Sequence, residues 1–207
     1  MTPADHEPDP DKRHAPATQR NREPILAVLK EELAQGGTLL EVASGTGEHA
    51  VFLSRALPNW QWQPSDPAPD ALASIAAWRA GEGPANLLPP VQLDAAEADW
   101  PVQRADAVLC INMIHISPWS ATLGLLAGAR RVLGSAAPLI LYGPYVEDGV
   151  KTALSNLRFH QSLRARDPRF GLRKLANMDE AAAQEGFTRT RRVAMPANNL
   201  VLVYRQG

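Results

Sequence analysis

The chain has 207 residues, of which 45% are hydrophobic and 21% charged, with a net charge of −1. That length and composition describe one globular domain with a real core, and the near-zero charge supplies no global field for nucleic acid or a membrane surface. Cys110 is the single cysteine, which excludes an intrachain disulfide framework or a multi-cysteine zinc site.

The first segment, residues 1–17, is rich in Pro, Asp and Glu and is expected to be a loose arm, leaving 18–207 as the domain. Its opening, MTPADHEPDPDKRH, lacks the apolar stretch of a signal peptide. No later run is long enough to span a bilayer, so a cytoplasmic location is expected. From Glu23, the positions Ile25, Leu26, Val28, Leu29 and Leu33 have helical spacing, which Gly36-Gly37 ends. Strand and helix signals then alternate. Strands are predicted near 38–43, 60–65, 90–93, 105–112, 138–143, 187–194 and 199–205, and helices near 48–57, 70–80, 119–133 and 178–185. Such alternation predicts an α/β fold, a mostly parallel sheet with helices on both faces. The last two strands are joined by a segment too short for a crossover helix, so they are predicted to form an antiparallel hairpin.

The most informative stretch is TLLEVASGTGEHA, residues 38–50. An apolar run ends at Ala43-Ser44-Gly45-Thr46-Gly47, and a helix is expected from Glu48. A strand, a glycine turn and a helix N-terminus together make a nucleotide-cradling corner, because glycine admits a close ligand and the helix end offers unpaired N–H groups. The stretch also fits the dinucleotide pattern G-x-G-x-x-G/A. Glu41 leans away from a dinucleotide, since an acid is a poor neighbour for pyrophosphate and a good one for an ammonium group.

Ligands of open α/β sheets sit beyond the carboxyl ends of the strands, so the residues following each strand are the candidates. Asp66 is placed to accept ribose hydroxyls, or to act as a cap or turn residue. Asp94, followed by Ala95, is placed to accept from an adenine amino group, with a cap as the alternative. After the fourth strand come Asn112, Met113 and His115. His115 is a candidate base or orienting donor, or a structural histidine with its bonds satisfied. Tyr142 and Tyr145 follow the fifth strand. Residues 144–175 break the alternation and read as a lid-like insertion carrying Asn156 and His160, or as an amphipathic helix with a solvated basic side. The run Arg189-Thr190-Arg191-Arg192 reads as a solvated strand edge. The five histidines show no metal-ligand spacing.

Arg20-Asn21, EVASGTGEHA, WQPSD, CINMIHISPW, YGPY and MPANN occur in this order. The series resembles class I S-adenosylmethionine-dependent methyltransferases, and within them the family that includes methyltransferase-like protein 26, from about Ala17 to the C-terminus. Ala43 stands where the wider class usually has its first glycine. The resemblance implies a Rossmann-like seven-stranded sheet with a reversed last strand and S-adenosyl-L-methionine as cofactor. It implies the glycine turn under the cofactor's methionine part, Asp66 at the ribose and Asp94 at the adenine. It places Asn112 and Met113 on the methyl-transfer side, and Arg20 and Asn21 over the cofactor, Arg20 on its carboxylate. The expected reaction is methyl transfer to a small-molecule nucleophile, with His115 as base. Trp119, Tyr142, Tyr145, Asn156, His160, Asn198 and Asn199 are the expected pocket walls. A non-catalytic adenosylmethionine-binding protein and a nicotinamide-dependent oxidoreductase are the alternatives.

Overall fold

The structure, a computed structural model, describes residues 10–33 and 35–207. The first nine residues of the expected arm lie outside the described residues. Residues 12–15 run across a later helix. The Arg13 N–H donates to Ser74 Oγ at 2.9 Å, and Trp78 Nε1 donates to the Arg13 carbonyl at 2.9 Å. Helix α1 (Pro16–Glu32) then begins seven residues ahead of the apolar periodicity that marked it. Proline in the first turn is preorganised for a helix, and the polar stretch after it buries Thr18 and Asn21.

The strands are β1 (Gly37–Val42), β2 (Trp60–Asp66), β3 (Val91–Gln92), β4 (Ala107–Ile111) and β5 (Pro138–Gly143). Between and after them run α2 (Glu48–Ala56), α3 (Pro69–Glu82) and α4 (Trp119–Val132). The insertion holds β6 (Tyr145–Val146), α5 (Leu154–Arg166) and β7 (Arg173–Lys174), with β6 and β7 paired parallel in a small side sheet. The chain closes with α6 (Leu175–Gln184), β8 (Phe187–Met195) and β9 (Asn199–Gln206).

Seven strands form the main sheet in the order β3-β2-β1-β4-β5-β9-β8. β1 to β5 are parallel, and β9 is antiparallel to both β5 and β8. The predicted architecture and closing hairpin are therefore present. Strand alternation feeds two cores. Leu40, Val42, Val108, Cys110, Leu139 and Leu141 face α4 and α6, whereas Leu39, Leu109, Ile111, Ile140 and Tyr142 face α1 and α2. Burial on both faces explains why these strands read as continuous apolar runs. β8 is the sheet edge, with a bulge between Arg189 and Arg191. Arg189 pairs with Asp179, Arg191 with Glu31 and Glu32, and Arg192 with Glu147. A charged, bulged edge resists pairing with other chains. Among the described residues, no helix is long and apolar enough to cross a membrane.

Candidate functional site

The corner after β1 is built by backbone conformations that side chains resist. Ala43 has φ 59°, Gly45 φ 60° and Gly47 φ 89°. Ser44 N–H donates to the Ser65 carbonyl at 2.8 Å, and Ser65 Oγ donates to the Glu41 carbonyl at 2.8 Å. The turn is thereby stitched to β2. A Cβ on Gly45 would meet nothing within 4 Å, so this face of the turn is open. A Cβ on Gly47 would sit 2.9 Å from Ile75 Cα, so glycine lets α2 and α3 approach. Thr46 offers its carbonyl to Ser74 Oγ at 2.8 Å. Ala43 is a non-glycine residue in the left-handed region, where a Cβ is costly. Ala43→Gly is expected to raise unfolding stability by about 0.5–1 kcal/mol in urea titration, the relief of Cβ strain exceeding glycine's added entropy cost.

Asp66 ends β2 at 7% exposure. Its Oδ2 accepts the Gly45 N–H at 3.0 Å and its Oδ1 the Ala68 N–H at 3.1 Å. Burial raises its pKa, and the two N–H bonds oppose that rise. Each carboxylate oxygen has a second acceptor direction, so the group can also take two ligand hydroxyls. Asp94 is exposed, and its Oδ1 accepts the Ala96 N–H at 2.9 Å in a local turn. Ala95 packs into the core beneath Gly124.

Glu41 departs from expectation. It is 1% exposed, and Trp62 Nε1 donates to its Oε2 at 2.8 Å. Burial lifts its pKa to about 7. A ligand ammonium cannot touch it without rearrangement, so Glu41 belongs to the packing beneath the turn.

Beyond the ends of β4 and β5 lies a cavity of about 500 Å³. Arg20 and Asn21 of α1, Asn112 after β4 and Tyr142 of β5 form one side. Asn156 of α5 and Asn199 of β9 form the other. Residues expected at the cofactor and residues expected at the substrate therefore share one wall. Asn112 adopts φ 64°, and its N–H is held by the Tyr142 carbonyl at 2.9 Å. Met113 is buried, and its sulfur accepts from Ser117 Oγ at 3.1 Å. Asn21 Oδ1 lies 2.8 Å from His49 Nε2, and both Asn21 and Tyr142 line the cavity. Burial holds His49 down to about 4, so it is neutral at pH 7 and orients Asn21 without charge.

Several expected wall residues lie elsewhere. His115 is fully buried and does not line the cavity. Its ring packs edge-on to Tyr145, centroids 4.9 Å apart, and neither ring nitrogen has a hydrogen-bond partner. Burial lowers its pKa to about 3, which suits a core histidine and not a base at neutral pH. Gly143 makes room for it, because a Cβ there would overlap His115 Nε2. Gly143→Ala is expected to cost about 2 kcal/mol of stability by overpacking, with much of the loss recovered in the Gly143→Ala, His115→Ala double variant; urea unfolding of both checks this. Trp119 lies under the Arg173 guanidinium, 5.5 Å from its ring centre, and lines a separate shallow pocket with Leu123. His160 Nδ1 accepts the Leu172 N–H at 3.1 Å and pins the loop after α5. Tyr145 and Asn198 line a smaller neighbouring cavity.

Other contributors were not singled out from sequence. Ala17, Ile116, Pro144, Pro196 and Ala197 line the cavity, as do Ser155 and Phe159, whose i, i+4 spacing beside Asn156 is the one available signal. Glu48 accepts the Ala15 N–H at 2.6 Å and sits 3.0 Å from His14 Nδ1, so it anchors the start of α1 to the glycine corner. Within the insertion, α5 is a largely exposed helix, and its Ser155, Asn156 and Phe159 line the cavity.

The fold is shared with solved methyltransferases. An S-adenosylmethionine-dependent methyltransferase, SibL, superposes at TM-score 0.76 and 19% identity, covering 92% of this chain and 55% of its own. The mitomycin 7-O-methyltransferase MmcR superposes at 0.77 and 15% identity, covering 92% of this chain and 54% of its own. Magnesium protoporphyrin IX methyltransferase from Synechocystis PCC 6803, solved with bound SAH, superposes at 0.69 and 16% identity over 91% and 83%. This chain spans a little over half the length of SibL and MmcR. A family model matches residues 12–206, and the chain belongs to that family, DUF938, described as a protein of unknown function.

Proposed function

We propose that this protein is an S-adenosylmethionine-dependent methyltransferase acting on a small molecule. The observation that carries the reading is that Arg20, Asn21 and Asn112, expected at the cofactor, line the same 500 Å³ cavity as Tyr142, Asn156 and Asn199, expected at the acceptor. The residues fit the cofactor: Gly45 leaves its face open, and Asp66 retains acceptor capacity for two hydroxyls. The motif series that resembles the methyltransferase-like protein 26 family, and the methyltransferase names of the solved structures, support the same reading.

When bound, the cofactor supplies a sulfonium-activated methyl group. In this reading Asp66 holds the ribose, Asp94 faces the adenine amino group, and Arg20 takes the methionine carboxylate. Asn112 and Tyr142 then border the space in which the nucleophile is aligned. Among the described residues, no Asp, Glu, His, Lys or Cys lines the cavity, so alignment and exclusion of water are the main contributions of this wall. His115 has no part in proton transfer.

The test is incubation with methyl-labelled S-adenosylmethionine and a low-molecular-mass metabolite extract. Label entering the small-molecule fraction is expected. Label entering only added protein or RNA would overturn the acceptor class, and tight cofactor binding without transfer to any fraction would make the chain a non-catalytic binder.

A further inference from the structure

Beside the main cavity lies a second of about 220 Å³, and the two share Asn156 and Asn199 as walls. The partition between them is a built feature. Asn156 is 7% exposed on a helix whose other buried residue is Leu163, and its Nδ2 donates to the Asn198 carbonyl at 2.9 Å. Ala197 and Asn198 both have φ 57°, a left-handed pair that turns Asn198 toward the smaller compartment and Ala197 toward the larger.

The charge left uncompensated at both compartments is positive. No carboxylate lines the larger one among the described residues, and Arg20 does. In the smaller one, Arg192 is held bidentate by Glu147 at 2.8 and 2.6 Å, so those charges offset each other. Lys151 lines the same compartment and has no ion-pair partner among the described residues. The surrounding segment, residues 151–174, carries seven Lys and Arg against one acid, Asp167, in a chain whose net charge is −1. On α5, Arg158, Arg164 and Arg166 are exposed and unpaired among the described residues, whereas the arginines of β8 each have an acid. Uncompensated cations on the walls of a low-dielectric pocket, here Arg20 and Lys151, raise the local concentration of anions and speed their entry. A neutral or cationic acceptor would gain nothing from this arrangement.

We propose that the smaller compartment is the subsite for an anionic group of the methyl acceptor, a carboxylate or a phosphate, held by Lys151, with the reacting end in the larger compartment beside Asn112 and Tyr142. The inference rests on the methyltransferase reading and names its substrate class.

The probes are inorganic phosphate and glutarate, titrated separately into the full chain saturated with S-adenosylhomocysteine. The readout is the NMR shift of the Asn156 and Asn198 side-chain amides. Saturable shifts with at least one probe are expected, and the stronger probe identifies the oxyanion. Lys151→Glu is expected to weaken binding on the order of tenfold or more, as loss of a charge-assisted contact does. Arg158→Gln, which lines neither compartment, should leave the affinity within about twofold. No saturable shift in the wild type, or an equal response in Lys151→Glu, overturns the subsite. Binding of a short RNA that depends on Arg158 and not on Lys151 would overturn it in favour of a macromolecular surface. Homocysteine-nucleoside binding is measured on the same sample: its presence without an anion response sinks this inference alone, and its absence sinks the reading beneath it.

Discussion

Asp66→Ala is expected to weaken S-adenosylhomocysteine binding by about 100-fold or more. A hydrogen bond to a charged group contributes about 1.5–3 kcal/mol, and Asp66 is assigned two ribose hydroxyls, so their joint loss reaches about two decades in Kd. The variant also leaves the Gly45 and Ala68 N–H groups without their acceptor. That adds a stability cost of about 1–3 kcal/mol per buried orphaned group, less where water reaches it. Binding is therefore compared with unfolding on the same preparation. Asp94→Asn is the contrast: its carboxylate is exposed, and an amide oxygen can still accept from an amino group, so a loss below about tenfold is expected. Calorimetric titration checks both. An Asp66→Ala protein that is folded and binds within about threefold of wild type would remove Asp66 from the cofactor.

Glu41→Gln is expected to change how stability depends on pH. Burial raises the folded-state pKa from 4.5 to about 7, so the folded protein holds a proton that the unfolded chain has already released. The stability tied to that proton is full below about pH 4.5 and is lost as pH rises through about 7. The difference of about 2.5 pKa units corresponds to roughly 3 kcal/mol across the window. Glutamine keeps an acceptor for Trp62 Nε1 and carries no charge at any pH. Relative to wild type, the variant should gain stability from pH 4.5 to about 7 and level off above that. The lowered histidines act in the opposite sense: His49 and His115 cost stability as pH falls below about 6.5. They are present in both proteins and cancel in the comparison. Urea midpoints of the pair at several pH values check it, and parallel curves would show that Glu41 is not a buried, proton-holding group.

The parts of the site legible in sequence are those fixed by backbone demands. Gly45 and Gly47 punctuate the turn because positive φ and close helix approach need glycine, and the hairpin was legible because its connection is too short for a crossover. The position of Asp66, at the end of β2 and bonded to the turn, was legible from the strand pattern. What failed was the direction of polar side chains. Leu39 pairs with Trp62 and Glu41 with Pro64, so the indole is the diagonal neighbour of the carboxylate. That contact depends on strand register, which no local pattern shows. Glu41 was also the residue that spoke against a dinucleotide; with Glu41 buried, the strand order and the reversed β9 are what oppose one. His115 and Asn112 both follow β4, yet only Asn112 reaches the cavity, because Gly143 opens a slot in which the imidazole lies against Tyr145. The start of α1 was missed for a different reason. Its first two turns are polar and are held by Pro16 and the Glu48 carboxylate, neither of which leaves an apolar period.

The most direct test of the cofactor assignment is calorimetric titration of the purified chain with S-adenosylmethionine, S-adenosylhomocysteine and NADH in parallel. Micromolar binding of the first two, with no heat from NADH, is the predicted result. A folded protein that binds neither adenosyl compound would contradict the account.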